Sequence, residues 1–205
     1  MALQKPPTVS DDYRAIGIYR QAADIFFEKG FDATSMDDIA DAVDMTKGGL
    51  YYYIKGKKAM LYAIMSFAMD LLDSDVIQPA QREEDPGERL AAILSGHARL
   101  IIRETSTMTL LVDQEEALDD EHRTAIRARK RAYMDFIRNT IEAALFDQER
   151  DFELDPGVAA HTVLGALHNI FRWHKDKPKE KADRDFLVDQ LTRFTLHGLI
   201  PERSK

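Results

Sequence analysis

Apolar side chains recur every three to four residues through most of this chain, and nowhere do they alternate in the period of two that a strand requires. Ile18, Ala22, Ile25 and Phe26 put a buried stripe on a first helix, which Gly30 ends at its C′ position. Ser35, with Asp38 three residues on, has the layout of a capping box and predicts a second helix from Met36 whose Ile39, Ala40 and Val43 point inward. A turn follows at Asp44 and Met45. Thr46 then caps a short third helix, from Lys47 to about Tyr53, with Leu50 and Ile54 facing inward. Gly56 opens a fourth, which runs through Met60, Leu61, Ile64, Met65 and Leu72 towards Asp73. The stretch Asp73 to Gly87, with Pro79 and Pro86, reads as the clearest break. Beyond it the pattern predicts helices at about 88–104, 107–118, 120–148, 156–175 and 183–198. Asp155 and Pro156 serve as cap and first residue of the fourth of these, and Gly198 with Pro201 closes the last. With no strand pattern and no internal repeat, the fold class is all-α.

The third of these helices carries unusual chemistry for its length. Gly48 and Gly49 each weaken a helix by about 1 kcal/mol against alanine, so they imply close approach to something. Lys47, Tyr51 and Tyr52 remain for outward work. The chain has a net charge of −8, which argues against a protein that coats nucleic acid nonspecifically. Yet every charged residue from Met45 to Met69 is basic: Lys47, Lys55, Lys57 and Lys58. Two short capped helices, a tight turn and local cations form the layout of a helix-turn-helix DNA reader. A solvated helical hairpin would account for the lysines alone.

The run AADIFFEKGFDATSMDDIADAVDMTKGGLYYYIKGKKAMLY resembles the N-terminal domain of the TetR family of bacterial transcriptional regulators. The elements that match are Phe26 to Gly30, Ser35 to Ala40, Leu50 to Tyr53, and Lys57 at the start of the fourth helix. The resemblance implies a three-helix helix-turn-helix head and a helical ligand-binding and dimerisation body. Residues 1–12 form a disordered lead-in, 13–58 the head and 59–205 the body. It further implies a homodimer on a double-stranded DNA operator, with half-sites one helical turn, about 34 Å, apart. Thr46, Lys47, Gly48 and Gly49 then lie nearest base edges; Tyr51, Tyr52, Tyr53 and Lys57 anchor phosphates, and Ser35 completes the set. Two residues depart from the family pattern. Asp44 stands where a turn glycine is common, and aspartate tolerates the left-handed conformation better than most residues. Asp37 stands where a base is common, which throws readout onto the third helix. A rival reading from another class is a helical protein-interaction adaptor that has lost DNA binding.

For dimerisation the last two helices offer Val163, Leu167 and Ile170 on one and Leu187, Leu191 and Phe194 on the other. For a small-molecule effector, an adaptable apolar cavity is assigned to Met65, Met69, His97, Leu100, Ile101, Met108, Leu111, Tyr133 and Phe136, though such residues more often form ordinary core. ARKRAYMDFIRNTIEAA, followed by HNIFRWHKDKP, is similar to the ligand domain of TetR-family repressors of fatty-acid and sterol catabolism. That likeness implies an acyl-coenzyme A effector, with Arg129 and Arg172 at a cationic mouth. The alternative for the cluster around Arg127, Arg129, Lys130 and Arg131 is a solvated face paired with Glu115, Glu116 and Glu121.

Catalysis finds no support. There is no Gly-x-Ser-x-Gly elbow, Gly-x-x-x-x-Gly-Lys loop, Gly-x-Gly-x-x-Gly motif or Glu-x-x-His pair, so neither an enzyme nor a bound cofactor is expected. Zero cysteines exclude disulfides and thiolate metal sites. His161 and His168 share a helical face but lack further metal ligands, so no metal is expected. No apolar run reaches membrane-spanning length and MALQKPPTVSDD has no hydrophobic signal core, which points to a cytoplasmic protein without a membrane partner.

Overall fold

The computed structural model describes residues 13–146, 154–169 and 180–199, so the lead-in 1–12, Ile170, Phe171, Arg172 and Pro201 lie outside the described residues. The helices are α1 (Tyr13–Lys29), α2 (Met36–Ala42), α3 (Lys47–Tyr53), α4 (Lys57–Leu72), α5 (Pro86–Arg103), α6 (Thr105–Asp113), α7 (Asp120–Phe146), α8 (Pro156–His168) and α9 (Lys181–Leu199). No strand occurs among the described residues, so the fold is all-α.

The helix expected at 156–175 ends at His168, and two other expected boundaries moved. The stretch from Asp73 stays helical: a π-helical turn, Asp73–Ile77, and a short turn, Gln78–Ala80, extend α4, and the chain leaves helix only between Ala80 and Pro86. Pro79 stands directly after the π-helical turn, whose wider hydrogen-bond spacing runs from the Gln78 amide to the Asp73 carbonyl. Val76 and Ala80 are buried, which ties the segment to the core. Gly96 of α5 makes room for it, since a Cβ there would lie 3.2 Å from the Asp75 carbonyl oxygen. The helix expected at 107–118 instead spans Thr105–Asp113, and a 3-10 turn, Glu115–Ala117, follows it.

The chain forms two compact units, one comprising the described residues through Asp70 with Glu104–Arg129, the other Leu71–Arg103 with those from Lys130 onward. In the first, α1 packs on α6. Arg20 donates from Nε and Nη2 to the two oxygens of the buried Glu104, at 3.0 and 2.6 Å, and Ser106 donates to Asp24 at 2.6 Å. The Arg20 guanidinium also lies 5.6 Å from the Phe67 ring centre. Arg129 joins α7 to α4 by donating to Asp70 (2.7 Å) and to the Ser66 carbonyl (3.1 Å). Beside it, the His122 ring stacks on Tyr62 at 3.9 Å and is held by Asp119. In the second unit α9 runs along α5, and Leu90, Ile93, Leu94, Leu100, Ile137, Ala160, Val163, Leu167 and Val188 fill the interior.

Arg20→Ala would strip a buried carboxylate of a forked partner, so it should destabilise the chain by roughly 1–3 kcal/mol in urea unfolding, with Arg20→Lys recovering part of the loss. An unchanged midpoint for Arg20→Ala would assign the α1–α6 contact to apolar packing and the Ser106–Asp24 hydrogen bond.

Candidate functional site

The candidate surface is built from short pieces, each closed by its own side chains. Ser35 caps α2: its Oγ accepts from the Asp38 amide at 3.1 Å while the Asp38 carboxylate accepts from the Ser35 amide at 2.8 Å. Lys29 donates to the same carboxylate at 2.8 Å, and this bond, with those from Ser35, holds Asp38 well below the usual carboxylate range. Ser35 is therefore occupied in capping. Asp44 adopts φ 52°, so the turn takes the left-handed conformation that glycine favours and aspartate tolerates. Its neighbour Met45 donates its amide to the Ala40 carbonyl at 2.9 Å.

Thr46 caps α3 by accepting from the Gly49 amide at 3.1 Å. The two glycines prove to have different reasons. A Cβ on Gly49 would meet Thr46 Oγ1 at 3.2 Å, so Gly49 keeps the cap close. A Cβ on Gly48 would meet nothing within 4 Å, so nothing inside the chain requires that glycine. Leu50 is the buried residue of α3 and Ile54 follows it inward, while Tyr51, Tyr52 and Tyr53 are exposed, Tyr52 at 80%. Tyr52 and Tyr53 meet edge to face at 5.4 Å.

Three of the four lysines are held by local acceptors. Lys47 pairs with Asp37 across the α2–α3 turn at 2.9 Å, and that carboxylate raises the lysine above its usual range. Lys55 donates to the Tyr51 carbonyl at the end of α3. Lys57, assigned from the sequence to phosphate, gives two N–H groups to the carbonyls of Phe31 (2.7 Å) and Asp32 (3.0 Å), with its charge 4.8 Å from the Phe31 ring centre. The connection after α1 leaves those carbonyls without helical partners, which is why a lysine is needed there.

The residues assigned to ligand binding fall in both units. Met65, Met69, Met108 and Leu111 are buried in the first, where Arg129 is engaged by Asp70. His97, Leu100, Ile101 and Tyr133 are buried in the second, with Phe136 half-buried; Arg172 lies outside the described residues. His97 is the polar centre of its surroundings: Nδ1 lies 2.8 Å from the Tyr133 hydroxyl and Nε2 3.1 Å from Nε2 of His168. Burial, then the neighbouring His168, pushes His97 well below the ordinary histidine range, and burial pushes the Tyr133 hydroxyl up. His168 faces His97, and no group of three or more metal-ligating side chains is found among the described residues. Arg127 pairs with Glu115 and Glu116, as expected of a solvated face. The sequence reading missed a cationic cleft on α5 and α9, because its residues belong to helices far apart in the chain.

Comparison with known proteins agrees with this geometry. Residues 18–64 match the model for bacterial regulatory proteins of the tetR family, and residues 83–199 match that for the tetracyclin repressor-like C-terminal domain. The chain belongs to the TetR family. It is a DNA-binding transcriptional regulator and not an enzyme. Its relatives include the transcriptional activator FasR of Mycolicibacterium smegmatis, 23% identical over 87% of this chain and 79% of that protein, and the transcriptional repressor KstR2 of Rhodococcus jostii, 24% identical over 87% of each. Among solved structures, AibR in complex with isovaleryl coenzyme A and operator DNA is 31% identical, with a TM-score of 0.79 over 93% of this chain and 100% of that one. PfmR of Thermus thermophilus is 26% identical, with a TM-score of 0.77 over 91% and 99%. No helix among the described residues is long and apolar enough to cross a membrane.

For this TetR-family head, Gly48→Ala should stabilise the fold by up to about 1 kcal/mol through helix propensity while weakening operator binding, because the methyl group projects into open space on the reading face. Gel shifts and thermal melts of one preparation check both halves, and unimpaired binding would detach Gly48 from the DNA. In the body, His97 stays neutral as pH falls through 6.5, its ordinary value, whereas the unfolded chain takes up a proton. Its contribution to stability is present above pH 6.5 and is lost below it, at up to about 1.4 kcal/mol per pH unit. Stability measured at pH 7.5 and 5.5 should therefore fall more for wild type than for His97→Asn, and parallel losses would place the titration elsewhere.

Proposed function

We propose that this regulator works as a homodimeric repressor whose 13–58 head binds an operator and whose 59–205 body releases it on binding an acyl-coenzyme A thioester. The observation that carries this reading is the full-length likeness to a protein crystallised with isovaleryl coenzyme A and operator DNA together. The KstR2 repressors support the sign of regulation. On the reading face, Thr46, Lys47 and Gly48 are nearest the bases, with Tyr51, Tyr52 and Tyr53 on the phosphates. The Asp37 carboxylate already has its counter-charge in Lys47. An apolar acyl chain would lie among buried apolar side chains of the second unit such as Leu100 and Ile101. Binding shifts a pre-existing equilibrium between DNA-competent and DNA-incompetent states.

Support for the dimer comes from what α8 and α9 leave uncovered. Phe186 and Phe194 stand out on α9 at 67% and 82% exposure, and on α8 the outward residues Thr162, Gly165 and Ala166 are small enough for another helix to approach closely. The interface is accordingly assigned to Phe186, Phe194 and the outer face of α8, with Leu187 and Leu191 half-buried at its edge. Val163 and Leu167, placed in the interface on sequence grounds, are buried inside the protomer because they occupy the opposite face of α8.

Phe194→Glu should give a folded monomer with weakened operator binding. Leu167→Glu should unfold the chain, because it buries an unpaired carboxylate at a cost of several kcal/mol. Sedimentation and circular dichroism separate the two outcomes, and a stable Phe194→Glu dimer would move the interface. For the effector, acyl-coenzyme A thioesters should raise the melting temperature and release the operator, while free fatty acids do so weakly. If no thioester shifts the melting curve where unrelated apolar compounds do, the body senses apolar molecules generally.

A further inference from the structure

Within the second unit, α5 and α9 enclose a cleft of about 500 Å³. Its charged lining is Arg99 and Arg103 from α5 and Lys181, Arg184 and Asp185 from α9. Ile102 and Val188 supply apolar wall between them. Four bases against one acid is a marked local excess in a chain whose net charge is −8. Arg99 and Arg103 stand one turn apart on α5, where like charges repel, and on α9 Lys181 and Arg184 stand one turn apart with Asp185 one turn on from Lys181. Arg103 relieves part of this by pairing with Asp75. The amino terminus of α9, at Lys181, adds the positive end of a 19-residue helix.

We propose that this cleft binds the phosphate groups of an organic polyphosphate, and specifically the nucleotide end of the coenzyme A thioester invoked above. The specific form rests on the proposed acyl-coenzyme A reading; the phosphate chemistry does not. Two cations on each wall, one turn or about 5.4 Å apart, match a ligand with more than one phosphate better than a single carboxylate. Arginine forks give paired hydrogen bonds to phosphate oxygens, and lysine supplies a compact charge. The volume falls in the range of small-molecule sites, and Ile102 and Val188 offer the apolar contact that a ribose or pantetheine chain can cover. The cationic mouth therefore moves from Arg129, which is engaged by Asp70, to α5 and α9.

Calorimetric titration of the full-length protein with coenzyme A, ADP, inorganic pyrophosphate and an acyl-pantetheine thioester tests this, using wild type, Arg99→Glu and Lys181→Glu. Both substituted side chains are exposed, and circular dichroism confirms that each variant remains folded. Coenzyme A should bind wild type and weaken at least tenfold in each variant, while acyl-pantetheine, which carries no nucleotide, is unaffected. ADP or pyrophosphate binding as tightly as coenzyme A, with the same loss in the variants, would keep the phosphate site but assign it to a free polyphosphate. No binding by any phosphate ligand, or equal binding by the variants, overturns the proposal. Operator release by acyl-coenzyme A that both variants retain would leave the proposed function standing and the cleft without its role. Coenzyme A binding lost in the variants, without operator release by any thioester, would do the reverse.

Discussion

A helix of seven residues must hold a fixed position while giving up almost none of its surface to the core, and the whole head is arranged around that constraint. Isolated helices of this length are unstable in water, because nucleation costs more than so few hydrogen bonds return. Here α3 is held by three devices: Leu50 buried beneath it, Thr46 closing its first turn and Ile54 turning the chain inward after its last. Lys57 secures the same region from below, tying the start of α4 to the carbonyls that follow α1. With the backbone satisfied in this way, the glycine and tyrosine faces remain open.

The parts of this design that rest on local chemistry were legible in the sequence. The capping box at Ser35, the cap at Thr46, the left-handed Asp44 and the proline opening α8 each follow from a few neighbouring residues and general backbone preferences. What could not be read was the identity of partners. Lys57 looks like any exposed lysine until the carbonyls of Phe31 and Asp32 are seen beside it. Arg129 reads as one of a basic run until Asp70 reaches it from α4. On α8, Val163, Leu167 and the outward small residues all belong to an apolar helix, and periodicity cannot say which face meets its own core. The run from Asp73 was misread for a related reason: prolines signal breaks, but the room left by Gly96 lies on another helix.

The body treats polarity differently from the head. Near α3, polar groups stay at the surface and satisfy short-range demands of the backbone. Around His97 a polar line of Tyr133, His97 and His168 is set among aliphatic side chains, where a half-satisfied group would be more costly than none. Such a line fixes the rotamers of three residues from three helices together, giving that region a geometry that apolar packing alone would specify less sharply.

The pairing of Lys47 with Asp37 changes how the head meets a polyanion. An unpaired lysine that contacts duplex DNA releases a condensed counterion, and that entropy favours any sequence equally. Lys47 has its charge already met by a carboxylate of its own chain, so in the proposed mode its contact with DNA exchanges one anion for another. Exposed pairs of this kind are weak, so the exchange is possible, but a bare phosphate repays little of it. A guanine edge, which offers two acceptors in the major groove, repays more. In the proposed binding mode the acidic residue on α2 disfavours nonspecific duplex and so widens the gap between operator and background.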